Sequence, residues 1–135
     1  MTGTNGKSST TSLIGHIINY NDINAEVGGN IGKAATSLND PGSKGFIVLE
    51  LSSFQLVTCS QLKLDGGIIL NITPDHLDWH GNIKNYVNAK IRIASFLKAK
   101  APLLISCNDN LSKKASESLQ KKNKNIIKIY NKKNK

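Results

Sequence analysis

Apolar residues along the chain follow two patterns, one with the spacing of a helix and one of short continuous runs. After a glycine-containing turn, four apolar residues recur along one helical face, which predicts a helix over residues 7–20. They are Leu13, Ile14, Ile17 and Ile18. The continuous runs predict strands that are covered on both faces of a sheet. These runs lie at residues 46–49, 68–72, 103–105 and 126–130.

Helical patterns separate the predicted strands. Crossover helices are predicted over residues 53–62, 83–97 and 111–121, of which the last is mostly polar. Stretches rich in glycine or proline at residues 28–32 and 40–42 predict loops. The alternation predicts an α/β fold with a mostly parallel sheet, right-handed crossovers and helices on both faces.

The length of 135 residues corresponds to one domain, and no internal repeat or linker divides it. We expect residues 1–112 to form part of a nucleotide-binding domain and residues 113–135 to continue it as a basic end. No apolar run is long enough to span a membrane, and the first residues do not resemble a secretory leader, which predicts a soluble, cytoplasmic protein. Cys59 and Cys107 lack the spacing of a zinc site or a disulfide framework.

The net charge of +9 is located almost entirely at the end of the chain. Residues 1–112 hold nine Lys and Arg against eight Asp and Glu, whereas residues 113–135 hold nine Lys and only Glu117. This basic end has no Arg and a single aromatic residue, Tyr130, so it lacks the side chains with which proteins read nucleic acids. We therefore expect no nucleic-acid partner, and a nucleic-acid-binding module that uses the lysines is the alternative.

The first residues of the chain carry the pattern most indicative of function, a glycine-punctuated turn that leads into Lys7 and Ser8. Glycines let backbone N–H groups turn towards phosphate oxygens, the lysine adds positive charge, and the serine hydroxyl can reach Mg²⁺. The pattern is shorter than the full P-loop, so a turn that only caps a helix is the alternative. The residues predicted to bind ATP are Gly3, Thr4, Asn5, Gly6, Lys7, Ser8 and Ser9.

A phosphate loop normally follows a buried strand that aims it, and here only Met1 precedes Thr2. We therefore expect a P-loop-type mononucleotide-binding domain that is incomplete, in a sequence that lacks an N-terminal part. A parallel sheet without that strand would leave apolar surface uncovered, which predicts marginal stability.

Polar residues stand where the predicted strands end, and in a parallel sheet these ends face the ligand. Glu50 closes one predicted strand, and Asn71 and His76 follow the next. A buried unpaired carboxylate is costly but suits a metal ion, so Glu50 is predicted to bind Mg²⁺, with a hydrated edge carboxylate as the alternative. His76 could bind a metal, contact a substrate or be structural. By pattern alone, Lys90 is a solvated lysine on an amphipathic helix.

Five blocks of the sequence, taken together, resemble the central domain of the Mur ligases. They are Gly3-Thr4-Asn5-Gly6-Lys7-Ser8, Gly28-Gly29-Asn30-Ile31-Gly32, Leu49-Glu50-Leu51-Ser52-Ser53-Phe54-Gln55-Leu56, Asn71-Ile72-Thr73-Pro74-Asp75-His76-Leu77-Asp78 and Ala89-Lys90-Ile91-Arg92. The combination is more specific than any one block. The resemblance spans about residues 2–109, and the basic end carries no family motif.

The resemblance implies an ATP-dependent amide-forming ligase of peptidoglycan precursor synthesis. In this family the γ-phosphoryl group of ATP is transferred to a substrate carboxylate, and the amine of an amino acid then attacks the acyl phosphate. The implied substrates are UDP-N-acetylmuramoyl-L-alanine and D-glutamate, and the implied metal is Mg²⁺, with two ions. A monomer is expected for the full-length protein.

The resemblance also implies roles for single residues. The implied catalytic residues are Lys7, His76 and Lys90. The implied metal ligands are Ser8, Glu50, His76 and Lys90, and the implied substrate contacts are Asn30, Ser52, Gln55 and His76. Lys90 matches the family lysine that becomes carbamylated. Carbamylation turns a cation into an anion that can bind a second Mg²⁺ near the transferred phosphoryl group.

The resemblance covers only part of the family's multidomain architecture. We expect the chain to be a fragment without amide-forming activity of its own, because the domain that binds the amino acid is not included and the reacting groups cannot be positioned. The alternatives are another Mur ligase, a relative of folylpolyglutamate synthetase, which shares the Gly-Thr-Asn-Gly-Lys-Ser turn, and a stand-alone nucleotide-binding module.

Overall fold

The computed structural model describes residues 1–122 and 125–131. The helices are α1 (Lys7–Tyr20), α2 (Ser53–Thr58), α3 (Leu77–His80), α4 (Ile83–Ile91) and α5 (Asn110–Gln120). The strands are β1 (Ala25–Gly29), β2 (Phe46–Glu50), β3 (Gly67–Ile69), β4 (Leu103–Ser106) and β5 (Ile126–Ile129). Short 3₁₀ helices cover Ala35–Ser37 and Arg92–Phe96. Within the described residues, no helix has both the length and the apolar character needed to cross a membrane.

The strands pair in parallel, as the continuous apolar runs predicted. β1 pairs with β2, with Ala25 opposite Phe46 and Gly29 opposite Glu50. In a second group, β4 lies between β3 and β5. Ile69, Leu103 and Ile105 in this group are fully buried. The predicted α/β class with a parallel sheet is confirmed.

Met1 and Thr2 join the two groups of strands. On one side, the Met1 amino group donates to the Leu49 carbonyl, and Leu51 N–H donates to the Met1 carbonyl at 2.8 Å. On the other side, Thr2 N–H donates to the Ile68 carbonyl at 2.9 Å, and the Thr2 carbonyl accepts from Leu70 N–H at 3.0 Å. These two residues therefore occupy the position of a strand between β2 and β3, directly before the phosphate loop.

The main core lies beneath α2, α4 and α5. Tyr86, Ile93 and Ile105 are at most 1% exposed there. α5 was expected to be mostly polar, and it buries only a narrow stripe of small and apolar side chains. This stripe consists of Ser112, Ala115, Ser116 and Leu119. Small residues allow the helix to approach the sheet closely without a wide apolar face.

α1 packs against β1 on the other side of the molecule. A Cβ atom at Gly15 would lie 2.2 Å from a methyl group of Val27, so the helix approaches the strand at a position where only glycine fits. Large apolar side chains on α1 and on the neighbouring strand β2 are about half exposed, including Leu13 at 55% and Ile47 at 51%. The described residues therefore leave apolar surface uncovered on this side.

Several element bounds differ from the predictions. β1 was not predicted, because Val27 is its only large apolar residue and Gly28 and Gly29 were assigned to a loop. α2 ends at Thr58, and the predicted helix over 83–97 ends at Ile91 and continues as a 3₁₀ helix. α3, a single turn, was not predicted. β3 and β5 are shorter than their apolar runs.

Replacing Gly29 with alanine should destabilise the fold far more than the same change at Gly32. Gly29 has a φ of 110°, and a Cβ atom there would lie 2.3 Å from the Glu50 carbonyl oxygen. Gly32 has a φ of 59° and open space around it. We expect Gly29→Ala to lower the free energy of unfolding by about 3 kcal/mol or more. Gly32→Ala should cost only about 1–2 kcal/mol. Equal losses in urea unfolding followed by circular dichroism would contradict the close approach.

Candidate functional site

The phosphate loop lies directly before α1. Gly6 caps the helix in the left-handed region (φ 78°), which favours glycine. Within the described residues, the N–H groups of Gly6, Lys7 and Ser8 make no hydrogen bond. These N–H groups and the positive end of the helix dipole form a site suited to an anion. The Lys7 ammonium lies beside them and donates to the Thr4 carbonyl at 2.9 Å.

Thr4 and Asn5 direct their N–H groups into the protein. Thr4 N–H lies 3.1 Å from the Asn71 carbonyl oxygen and 3.0 Å from Asn71 Oδ1. Asn5 N–H donates to the same Oδ1 at 2.8 Å. A phosphate contact by these two residues, as predicted, would therefore use atoms other than their backbone N–H groups.

Glu50 is a buried carboxylate with one oxygen unpaired. It ends β2 and is 1% exposed. Oε1 accepts a hydrogen bond from Asn30 Nδ2 at 2.9 Å, whereas Oε2 has no partner within the described residues. An ionised oxygen buried without a partner is costly, and a cation would relieve that cost. The Glu50 carboxylate therefore fits a divalent metal ion.

The chemistry of the surrounding residues favours Mg²⁺ over a metal that needs a full protein cage. The described residues contain no group of three or more His, Cys, Asp and Glu side chains that could hold a metal ion. Mg²⁺ is commonly bound by one or two carboxylates together with substrate phosphates and water. Glu50, with the exposed Ser8 hydroxyl in the first turn of α1, matches that limited ligand set.

Lys90 is a buried cation on the other side of the loop. It is 2% exposed, its Nζ donates to the Gly3 carbonyl at 2.8 Å, and it lies 4.7 Å from the centre of the Tyr86 ring. Burial and, to a smaller extent, the positive charge of Lys7 lower the pKa of Lys90 to about 8, against the opposing effect of Asp75. The structure thus corrects the view of a solvated helix lysine that the sequence pattern alone suggested.

His76 has a strained backbone beside the same cleft. Its φ of 50° lies in the left-handed region, and its N–H donates to Asp75 Oδ1 at 2.9 Å. The ring packs 5.0 Å from the centre of the Phe54 ring, and the side chain is half exposed. Non-glycine residues adopt this conformation only where the surroundings impose it, which is frequent at functional sites.

A cleft of about 240 Å³ brings many of the predicted residues together. The predicted residues that line it are Gly3, Thr4, Lys7, Asn30, Ser52, His76 and Lys90. Glu50 does not line the cleft itself, but it is hydrogen-bonded to Asn30, which does. The predicted residues outside the lining are Asn5, Gly6, Ser8, Ser9 and Gln55. Gln55 uses its side-chain oxygen to accept from Ser52 N–H at 2.9 Å, completing a capping box at α2.

Sequence reasoning missed four residues that line the cleft: Ser53, Phe54, Asp75 and Tyr86. The Tyr86 hydroxyl lies 2.9 Å from Thr4 Oγ1, so this side chain connects α4 to the phosphate loop. Burial raises the pKa of Tyr86. Its position one helical turn before Lys90 could have indicated a shared face.

His80 is a buried packing residue beside the cleft. It is 6% exposed, and its Nε2 lies 2.9 Å from the Ser53 hydroxyl oxygen. Burial lowers the pKa of His80, with further lowering by His76 and Lys90. His80 also packs edge-on against Tyr86 at 5.2 Å between ring centres, and so supports the wall of the cleft.

The fold and the site define a parallel α/β domain with a phosphate-binding loop at the start of its first helix. Compared with known families, residues 1–135 match the Mur ligase middle domain. The chain therefore belongs to the Mur ligase family, as the sequence resemblance indicated.

Curated relatives share this sequence region. The chain is 36% identical over 129 residues to UDP-N-acetylmuramoylalanine–D-glutamate ligase of Rhodopseudomonas palustris (strain HaA2), covering 96% of the chain and 28% of that protein. It is 52% identical over 93 residues to the ligase of the same name from Caulobacter sp. (strain K31), covering 69% of the chain and 20% of that protein. The chain thus spans less than a third of the length of these relatives.

Solved structures agree with the fold. UDP-N-acetylmuramoyl-L-alanyl-D-glutamate–2,6-diaminopimelate ligase matches with a TM-score of 0.69 at 24% identity, covering 98% of the chain and 31% of that protein. MurF ligase from Thermotoga maritima in complex with ADP matches with a TM-score of 0.67 at 19% identity, covering 96% of the chain and 31% of that protein. At these identities the similarity concerns the fold alone.

Replacing Glu50 with glutamine should remove any stabilisation by Mg²⁺ without weakening the ligand-free fold. The neutral amide costs less to bury than the unpaired carboxylate, so the ligand-free Tm should be unchanged or higher. In the presence of ADP, Mg²⁺ should raise the Tm of the wild type but not of Glu50→Gln. Asp65→Asn is the matched control, because Asp65 is an exposed carboxylate paired with Lys98. An equal Mg²⁺ response in Glu50→Gln would contradict a metal site at Glu50.

Proposed function

We propose that the chain forms the nucleotide-binding core of an ATP-dependent ligase that adds D-glutamate to UDP-N-acetylmuramoyl-L-alanine. One observation carries the proposal: the free N–H groups at the start of α1, the Lys7 ammonium and the unpaired Glu50 oxygen all belong to one loop and the strand beside it. This combination suits a phosphate chain with a bound cation. Membership of the Mur ligase family supports the same chemistry.

The loop and its neighbours would bind the triphosphate of ATP. The N–H groups of Gly6, Lys7 and Ser8 would donate hydrogen bonds to the phosphate oxygens, and the Lys7 ammonium would add positive charge at the β- and γ-phosphates. Glu50 and the Ser8 hydroxyl would hold Mg²⁺. When bound, this ion neutralises charge on the phosphates and orients them. His76 and Lys90 would hold a second ion beside the transferred group.

The reaction would proceed in two transfers. The substrate carboxylate attacks the γ-phosphorus of ATP, giving an acyl phosphate and ADP. The amine of D-glutamate then attacks the acyl carbon, phosphate leaves, the amine loses a proton and an amide is formed. Asn30, Ser52, Gln55 and His76 would orient the muramoyl substrate. Of these, Asn30, Ser52 and His76 line the cleft.

The choice of D-glutamate is supported by the relatives. The proteins that are 36% and 52% identical to this chain carry the name UDP-N-acetylmuramoylalanine–D-glutamate ligase. The diaminopimelate-adding ligase of similar fold is 24% identical. The chain spans less than a third of these proteins, so substrates, monomeric state and cytoplasmic location are proposals for the whole protein.

Carbamylation of Lys90 is part of the proposal. The reaction adds CO₂ to a neutral amine and releases a proton, so it requires an amine that loses its charge easily. Burial meets this requirement by lowering the pKa of Lys90 to about 8. The resulting anion would supply oxygen ligands for a cation, which the ammonium cannot do.

Lys7→Ala should weaken the binding of Mg·ATP to the chain by about ten- to hundredfold, because one charge-assisted contact to the phosphates is lost. Lys98→Ala is the control, since Lys98 is an exposed lysine paired with Asp65. Isothermal titration calorimetry of both variants and the wild type measures the effect. If the wild type bound no Mg·ATP, or if both variants bound alike, the nucleotide-binding assignment would be wrong.

In the presence of ¹³C-labelled bicarbonate and Mg²⁺, the chain should show a ¹³C carbamate resonance that is absent from Lys90→Arg. At constant dissolved CO₂, this resonance should grow as the pH rises through about 8, because the lowered pKa leaves the amine neutral above that value and charged below it. Lys7→Arg should retain the resonance. A spectrum of the wild type without it would count against carbamylation.

A further inference from the structure

Asn71 connects the end of β3 to the phosphate loop through its side chain. Its Oδ1 accepts from Thr4 N–H at 3.0 Å and from Asn5 N–H at 2.8 Å. Its Nδ2 donates to the Asn5 carbonyl at 3.0 Å. Thr4 N–H also lies 3.1 Å from the Asn71 backbone carbonyl. One carboxamide thus holds three successive peptide units of the loop.

Only a carboxamide can make this set of bonds in so short a side chain. The oxygen accepts from two N–H groups, and the nitrogen donates to a carbonyl on the same loop. An aspartate would keep the two acceptor contacts and lose the donor. A leucine of similar shape would lose all three. The residue type therefore matches the loop conformation closely.

The three side-chain hydrogen bonds of Asn71 to Thr4 and Asn5, here called the clamp, determine which N–H groups face the ligand. Because Asn71 engages the N–H groups of Thr4 and Asn5, the free donors begin at Gly6, where the backbone turns into the left-handed region and α1 starts. Had the first two donors been turned outwards, the loop would present a different concave surface. Preorganised donors bind phosphate better than donors that must first be ordered.

Asn71 is itself held in place by its neighbours. The N–H group of Ile72, the next residue, donates to Asp109 Oδ2 at 3.2 Å. The same carboxylate accepts from Ser112 N–H at 2.7 Å and from its hydroxyl at 2.6 Å, at the start of α5. On the loop side, Thr73 N–H donates to Thr4 Oγ1 at 3.0 Å. The end of β3 is therefore fixed on both sides of the clamp.

We propose that Asn71 is a positioning residue for the nucleotide phosphates, acting through the loop that its carboxamide holds. The proposal rests on the proposed function, since it assumes that the loop binds phosphate. Asn71 has no phosphate contact of its own in this role. Its effect is to fix the direction of the N–H groups that contact the phosphates.

The test compares Asn71→Leu and Asn71→Asp with the wild-type chain. The matched control is Asn108→Leu, because Asn108 also follows a strand and bridges to a neighbouring segment, at Asn131, away from the loop. Binding of Mg·ATP and of magnesium tripolyphosphate, which has no nucleoside, is measured by calorimetry. Amide hydrogen exchange of Thr4 and Asn5 and thermal unfolding are measured without ligand.

We expect Asn71→Leu to bind both probes about tenfold more weakly and to lose exchange protection at Asn5, whose N–H group has no other acceptor within the described residues. Asn71→Asp should keep most of that protection, and the affinity that it loses relative to the wild type through its added negative charge should be regained as the salt concentration rises, whereas the loss in Asn71→Leu should persist. A merely structural role predicts instead that affinity follows thermal stability, whatever the exchange protection at Asn5. Asn108→Leu should bind like the wild type.

The outcomes separate the inference from the proposed function. Wild-type affinity in Asn71→Leu, or an affinity loss there with exchange protection at Asn5 unchanged, would overturn the positioning role while leaving nucleotide binding intact. A wild-type chain that binds neither probe would contradict the proposed function, and the positioning role with it. Weak binding of both probes by Asn71→Leu with lost protection at Asn5, restored affinity of Asn71→Asp at high salt and wild-type binding by Asn108→Leu together support the inference.

Discussion

Backbone pairing of Met1 and Thr2 with strands on both sides is the constraint on which the rest of the structure depends. These two residues connect β2 to β3, so they hold together two groups of strands that otherwise share few contacts. Thr2 is fully buried, and the chain leaves this position directly into the phosphate loop. Because all strands of a parallel sheet run in the same direction, the loop begins at the edge of the sheet where β2 and β3 also end. Glu50 at the end of β2 and Asn71 after β3 therefore lie beside the loop.

Two opposite charges are buried around this loop without being paired to each other. Glu50 keeps one oxygen unpaired, and Lys90 donates to a backbone carbonyl rather than to a carboxylate. Burial of this kind lowers stability unless a ligand supplies the missing partner. The arrangement is understandable if the site is completed by a cation at Glu50 and by phosphates or a modification near Lys90. The same residues that weaken the ligand-free fold would then provide the binding energy.

The sequence was a good guide wherever the information is local. α1 has the predicted bounds, and the parallel sheet and the family were both predicted correctly. β1 was missed because a strand with one large apolar residue looks like a glycine loop. The clamp by Asn71 joins residues 66 and 67 positions apart, and no local pattern reveals where a side chain at a strand end points. The helical periodicity of the sequence likewise did not predict that Lys90 is buried. Only the resemblance to the Mur ligases indicated a special role for this residue.

The position of the Lys7 ammonium has a consequence for selectivity. It is held against the Thr4 carbonyl at 2.9 Å, already within the loop and not extended into solvent. A ligand must therefore offer the ammonium a better acceptor than an uncharged peptide oxygen, and a polyanion does so whereas a neutral molecule does not. Because the ammonium is already held within the loop, little further conformational entropy is lost when it changes partner. For the proposed phosphate ligand, this arrangement favours polyanions over weakly charged molecules.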